Sequence, residues 1–260
     1  DENKERGKDM YWAHEGQELN EHLIHTKLYA AEEGLTIGMG TLVSISPELH
    51  DCGKIAPDFQ KYIKQDDDII KKGSVNHSSA GAEILMRRYG HSKNRFFALM
   101  IEMIAYAISA HHGIYDSIDE SGDDNLDKRL HVIDEDELKP MEEIWFDEMN
   151  LSETDLNQQL KIAFNEFRES FLNPLQMYLL KDPTKKTEFH FYISCMERLI
   201  LSIQIDADWT DTARAMGDSI FDDVKNKKIY GKAWKNYQEY MESLEEKARE
   251  NNLTERQRRI

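Results

Sequence analysis

The sequence predicts an all-α fold. Three observations carry that prediction: apolar residues recur at three- and four-residue spacings along most of the chain, no strand-like alternation of useful length interrupts them, and only 5 of the 260 residues are proline. No internal repeat of 20 to 50 residues is visible. The first helix runs from about Gly16 to Glu33, with Leu19, His22, Leu23, Thr26, Tyr29 and Ala30 on one side and Gly34 closing it. Ser46-Pro47-Glu48 reads as a capping serine followed by a first-turn proline, so a second helix is expected there with His50 and Asp51 on its first turns. A third is expected from Asn76 through Leu85. A fourth, Phe96 to about His112, is apolar nearly all round and is the predicted central helix, ended by a left-handed Gly113. Two long helices follow, Leu151 to Leu180 and Phe189 to Met216, separated at Lys181-Asp182-Pro183. Lys228 to Glu250, with Tyr230, Trp234, Tyr237 and Met241 among many charges, reads as a peripheral helix or a lead into another domain.

A chain of 30.5 kDa can bury a substantial core without staples. Two cysteines, Cys52 and Cys195, are too few for a disulfide scaffold, so free thiols in a reducing cytoplasm are expected. The longest apolar run, Phe96 to Ala110, is 15 residues interrupted by Glu102, shorter than the roughly 20 a membrane span needs. No membrane association is predicted. The net charge of -17 excludes binding of nucleic acid by a broad basic surface. That charge is uneven: residues 116–150 hold 14 acidic and three basic side chains, and so -11 of the total. Such a run is expected to be a solvated loop or insertion, with a docking flap as its functional alternative.

Several polar residues sit where the helical pattern predicts burial. His22 lies on the apolar side of the first helix, His50-Asp51 are followed by Lys54, His77 opens a helix, His111-His112 close the central one, and Asp206 and Asp208 interrupt an apolar stretch. Burying several imidazoles and carboxylates in one core is costly unless something pairs with them. Imidazole and carboxylate donors without thiolate suit iron, manganese, cobalt, nickel or zinc better than calcium. Six or seven ligands exceed the need of one ion, whereas two ions about 3.5 to 4 Å apart that share a carboxylate would use them all, as in two-metal phosphoester hydrolases.

Five blocks, in order, resemble the HD superfamily of metal phosphohydrolases: His22-Leu23 with Thr26; His50-Asp51-Cys52-Gly53-Lys54 leading to Phe59-Gln60; Asn76-His77-Ser78-Ser79-Ala80-Gly81-Ala82; Ser109-Ala110-His111-His112-Gly113; and Asp206-Ala207-Asp208-Trp209. Within it they are most similar to the HD nuclease domain of the CRISPR-associated helicase-nuclease of type I systems, over about Tyr11 to Ala213. The resemblance implies an HD-type helical bundle with a dinuclear site in its core. His22, His50, Asp51 and Asp208 would hold one ion, and Asp51, His77, His111 and His112 the other. Asp51 and Lys54 would be the catalytic pair, with Lys54 on the scissile phosphate. Asp206 and His14 are the alternative or supporting ligands.

The resemblance further implies two divalent transition-metal ions (manganese, iron, nickel or cobalt, with magnesium less suited) that activate a hydroxide to cleave single-stranded DNA in type I CRISPR antiviral defence. Its expected partners are single-stranded DNA, a helicase motor in cis or in trans, and the RNA-guided recognition complex. Arg87, Arg88, Lys93 and Arg95 form the candidate DNA-binding cluster. No G-x-x-x-x-G-K-[ST] pattern is present, since Gly53-Lys54 and Gly231-Lys232 lack the flanking residues, so no ATP site is expected. The expected division is an HD nuclease domain over residues 1–225, with 116–150 as its acidic insertion, and a charged helix or linker over 226–260. The start at Asp1 and the charged end fit a piece cut from a longer helicase-nuclease slightly better than a separate subunit. The alternative function is an HD phosphohydrolase acting on nucleotides or cyclic dinucleotides, although His111-His112 are followed by Gly113-Ile114-Tyr115 rather than by a glutamate and a downstream Gly-Tyr-Pro.

Overall fold

The computed structural model of the chain describes residues 10–64, 77–115, 121–217 and 235. Within these residues the architecture is all-α. The only sheet among them is a short antiparallel hairpin, β1 (Trp12–His14) with β2 (Gln17–Glu18), turned by Gly16 at φ +83°. The hairpin is too short to show any alternation in the sequence. It leads directly into α1 (Leu19–Leu35), whose first amide donates to Tyr11 O at 2.8 Å.

The buried stripe of α1 is Leu19, His22, Leu23, Thr26, Ala30 and Gly34. Gly34 does not close the helix as expected but lies inside it, where a Cβ would come within 2.4 Å of Val43 Cγ2, so the glycine lets α1 press against the next helix. That helix, α2 (Gly40–Leu49), begins six residues before the predicted Ser46 cap. Its N-terminus is capped from a distance: Glu166 accepts from the Thr41 amide at 3.2 Å and the Leu42 amide at 2.8 Å. Ser46 and Pro47 are therefore interior, and the Ser46 hydroxyl caps nothing. In consequence His50-Asp51 leave the C-terminal end of a helix rather than open one. A 3-10 turn (Cys52–Ile55) and α3 (Pro57–Ile63) follow.

The third predicted helix is α4 (Ala80–Tyr89), and its expected start at Asn76 lies outside the described residues. The central helix is α5 (Arg95–Ala110), capped by Asn94, which accepts from the Phe96 and Phe97 amides, and buried from Met100 onward apart from Glu102. Gly113 is not left-handed; His111 itself caps the helix in right-handed geometry.

The acidic segment departs most from expectation. From residue 121 it folds as α6 (Asn125–Arg129) and α7 (Glu135–Glu148), which bury Leu126, Leu130, Leu138, Met141 and Trp145 in the core. Leu138, Met141 and Trp145 share one helical face, and the charges occupy the other. Glu83 of α4, fully buried, pins this segment by accepting from the Val132 and Ile133 amides at 3.3 Å each.

The predicted 151–180 helix is α8 (Glu153–Phe167), opened by a Ser152/Asp155 capping box, then a π turn (Arg168–Leu172) and α9 (Asn173–Leu180). Pro174 explains the π turn, because its ring and missing N–H are incompatible with regular α bonding to the preceding turn. After a 3-10 turn, the last described helix is α10 (Glu188–Ala215), which packs on α1, α2 and α5. Residues through Ala215 form one compact unit. The predicted helix at 228–250, and with it almost all of the 226–260 segment, lies outside the described residues. Among the described residues no helix is long and apolar enough to cross a membrane.

One buried ion pair locks α2 in place. Lys27 of α1 reaches Glu48 at 2.7 Å, and Gln159 of α8, with its amide turned to suit, donates to Glu48 at 3.1 Å and accepts from Lys27 at 3.0 Å. Burial pushes the Glu48 carboxyl up from its ordinary value despite these partners. Removing Lys27 strands a buried carboxylate, so Lys27→Met is expected to cost about 2 to 4 kcal/mol at pH 7. The cost should shrink as the pH is lowered and Glu48 takes up a proton. Urea unfolding at neutral and at acidic pH measures both.

Candidate metal centre

Three Nδ1 contacts, two to backbone carbonyls and one to a carboxylate, aim the candidate ligands. His50 and His111 are each the residue after a helix ends, and their Nδ1 atoms sit on carbonyls three residues back, His50 on Pro47 O at 2.7 Å and His111 on Ile108 O at 2.5 Å. His22, in the first turn of α1, has its Nδ1 on Asp211 at 2.7 Å. Each contact makes Nδ1 the donor, so that the neutral ring would present its Nε2 lone pair. All three Nε2 atoms point at one carboxylate, Asp51.

His77 arrives by close backbone approach. A Cβ on Gly53 would lie 2.2 Å from His77 O, and one on Gly81 would lie 2.2 Å from Leu49 O. Only glycine at these two positions allows the His77 backbone and the start of α4 to lie directly on the segment bearing Asp51.

The Asp51 carboxylate faces two sets of histidines. Its Oδ2 is 3.5 Å from His22 Nε2 and 3.3 Å from His50 Nε2, whereas its Oδ1 is 3.6 Å from His111 Nε2 and 3.8 Å from His77 Nε2. Asp208 of α10 completes the first side, 3.3 Å from His22 and 3.7 Å from His50. His112 completes the second, its Nε2 2.7 Å from that of His77. Two groups of potential ligand atoms thus share Asp51: His22 with His50, and His77 with His111 and His112. His14, with Thr212 at 3.3 Å, forms a further group with His22 and Asp208. Asp206 is exposed, so of the two candidate aspartates only Asp208 is brought to the histidines.

A cation fits this arrangement. His22 Nε2, His50 Nε2, His111 Nε2 and Asp51 Oδ1 are buried with no hydrogen-bond partner, an expensive state that ligation would relieve. The electrostatics agree. Burial acts to lower His22, but the surrounding carboxylates of Asp208, Asp211 and Asp51 outweigh it and lift the ring to about 10. His50 is likewise raised to about 9, against its burial, by Asp51 and Asp208. Burial opposes ionisation of Asp51 too, yet the facing His50, Lys54, His111 and His22 hold it well below the usual carboxylate range. His112 is lowered to about 4, first by burial and then by the charges of His111 and His77. The first cluster attracts positive charge, and the second offers a neutral ring.

The family model described as "Cas3, HD domain" matches residues 9–194. The chain belongs to that family. Cas3 HD domains are metal-dependent nucleases of type I CRISPR defence, and the matched span holds every candidate ligand except Asp206 and Asp208. No curated protein matches the chain.

Two of the predicted site groups sit differently from expectation. Lys54 lies on a 3-10 turn and is only 4% exposed, with Nζ on Asp51 Oδ2 at 2.7 Å and Ala13 O at 3.0 Å, so it neutralises the shared carboxylate instead of reaching into solvent. All four residues of the basic cluster are exposed, but two of them are engaged by other groups. Arg87 is bound to Glu83 at 3.2 Å and Ile133 O at 3.0 Å, and Arg88 to Glu142 and, at 3.0 Å, to Glu153, so both arginines fasten the acidic helices. Lys93 and Arg95 are exposed. Sequence reasoning missed Asp211 and Gln17, and gave no role to His25, whose Nδ1 lies 3.0 Å from Asp211. The signal for Asp211 was its position three residues after Asp208, on the same helical face.

Proposed function

We propose that the chain cleaves internal phosphodiester bonds of single-stranded DNA, using two divalent transition-metal ions held on either side of Asp51. The observation that carries this reading is the two-sided environment of that carboxylate, with a separate histidine set on each oxygen. The ions, when bound, supply an acidified water and positive charge opposite the phosphoryl oxygens.

The protein's own part is positioning. Nδ1 anchors hold His22, His50 and His111 so that no ring must reorient on loading, and Lys54 keeps Asp51 ionised. His22 and His50 close the buried end, while His112 is exposed and His77 and Asp208 half-buried, so a strand enters from the His77–His112 side. Lys93 and Arg95 are the candidates for backbone contact; Arg87 and Arg88 are committed elsewhere. A protein this acidic grips DNA weakly by itself. Delivery by a helicase motor and an RNA-guided recognition complex in the cytoplasm suits it. Residues 1–225 would then constitute the nuclease domain.

Metal-stripped protein incubated with circular single-stranded DNA tests this reading. Manganese, nickel, cobalt, iron or magnesium is added back one at a time. Nicking that requires a transition metal is the expected result. No cutting of circles or linear strands, with phosphate released from nucleotides instead, would move the chain to the small-molecule phosphohydrolases.

A further inference from the structure

We infer that Asp211 is a positioning residue for the first metal cluster: its carboxylate fixes the tautomer and aim of His22, and thereby sets how tightly an ion is held there. This deepens the two-cluster reading and rests on it.

Asp211 is buried, at 2% exposure, one turn beyond Asp208 on α10. Its Oδ2 accepts from His22 Nδ1 at 2.7 Å and from Gln17 Nε2 at 2.5 Å, and its Oδ1 lies 3.0 Å from His25 Nδ1. It lies on the Nδ1 edge of the His22 ring, whereas Asp51 and Asp208 face Nε2. The two ring nitrogens point to opposite sides, so while it holds Nδ1 it is not a ligand of the ion that Nε2 would face. His50 and His111 receive only neutral carbonyls at the same atom. His22 alone among these three is backed by a full negative charge, which raises the basicity of its Nε2. Removing such a carboxylate partner typically weakens metal affinity about 10- to 100-fold.

The hairpin makes the contact testable. Asn at 211 can still accept from His22 and present its amide to His25. Gln17, whose Oε1 has no partner, can rotate to satisfy whichever group faces it. The charge is thus removed with little disturbance of shape.

Metal-free full-length chain is titrated with cobalt(II), followed by calorimetry and by the cobalt absorption spectrum, for the natural chain, Asp211→Asn and Gln17→Leu. The expected result is two binding steps in the natural chain and, in Asp211→Asn, one of them weakened by about 10-fold or more with the other unchanged. Gln17→Leu, which cuts the tie between hairpin and α10 but leaves the His22–Asp211 contact, should bind like the natural chain. Equal affinities in Asp211→Asn would overturn the inference. So would the same weakening in Gln17→Leu, since the hairpin tie would then be what matters. Fewer than two steps in the natural chain would remove the two-cluster reading itself and this inference with it.

Discussion

Asp51→Asn is expected to lower cleavage of circular single-stranded DNA by on the order of 10³-fold, because it removes the charge common to both histidine sets while keeping the shape of the side chain. Asparagine is the informative substitution. Asp51→Ala would also leave Lys54, buried at 4% exposure, without its 2.7 Å partner, at a stability cost of about 3 to 5 kcal/mol. Loss of activity in the alanine variant alone would therefore mix two causes. Adding Lys54→Met to Asp51→Ala should restore thermal stability and leave cleavage absent. Nicking by Asp51→Asn near the natural rate, with two ions bound, would remove Asp51 from the role assigned to it.

Gly53→Ala is expected to have a comparable effect by a purely steric route. The added methyl would sit 2.2 Å from His77 O and 2.7 Å from its carbonyl carbon and Cα, all backbone atoms that cannot swing aside. The His77 backbone must lift away, at a strain of about 1 to 3 kcal/mol, and His77 then loses its reach to Asp51 and His112. Bound metal should fall from two equivalents to one, with cleavage lost and the helical circular dichroism retained. Gly113→Ala is the matched control, since nothing lies within 4 Å of the position and its φ is not left-handed. Two ions held by Gly53→Ala as tightly as by the natural chain would contradict this account.

The clustering of histidines and aspartates at the candidate metal centre was more legible in the sequence than the scaffold around it. His50-Asp51, His77 and His111-His112 belong to short local patterns in which neighbours in sequence are neighbours in space. The misreadings came from partners far along the chain. Ser46-Pro47 has the local chemistry of a helix start, but Glu166, 120 residues on from Ser46, caps α2 at Thr41 and Leu42 and outweighs it. The density of charge in residues 116–150 hid the buried face of Leu138, Met141 and Trp145, and nothing local shows that Glu83 would bind the amides at 132 and 133. Arg87 and Arg88 look like a free basic patch only until their partners are in place, Glu83 and Ile133 O for Arg87 and Glu142 of α7 with Glu153 of α8 for Arg88. Asp211 was within reach of helical spacing alone, and was passed over because it matched no motif.

The carboxylate of Asp51 has one more consequence. A group that serves both clusters means that ions seated there would not load independently. Asp51 already carries Lys54 on Oδ2 and faces His111 from Oδ1, so charge added on either side would change what that carboxylate offers to the other. Such coupling is reciprocal by thermodynamic necessity: whatever factor the first ion imposes on the second, the second imposes on the first. The protein would then respond to metal supply along a curve steeper or shallower than simple saturation, so that its readiness to cut is set by the fraction of molecules with both sites filled rather than by either occupancy alone.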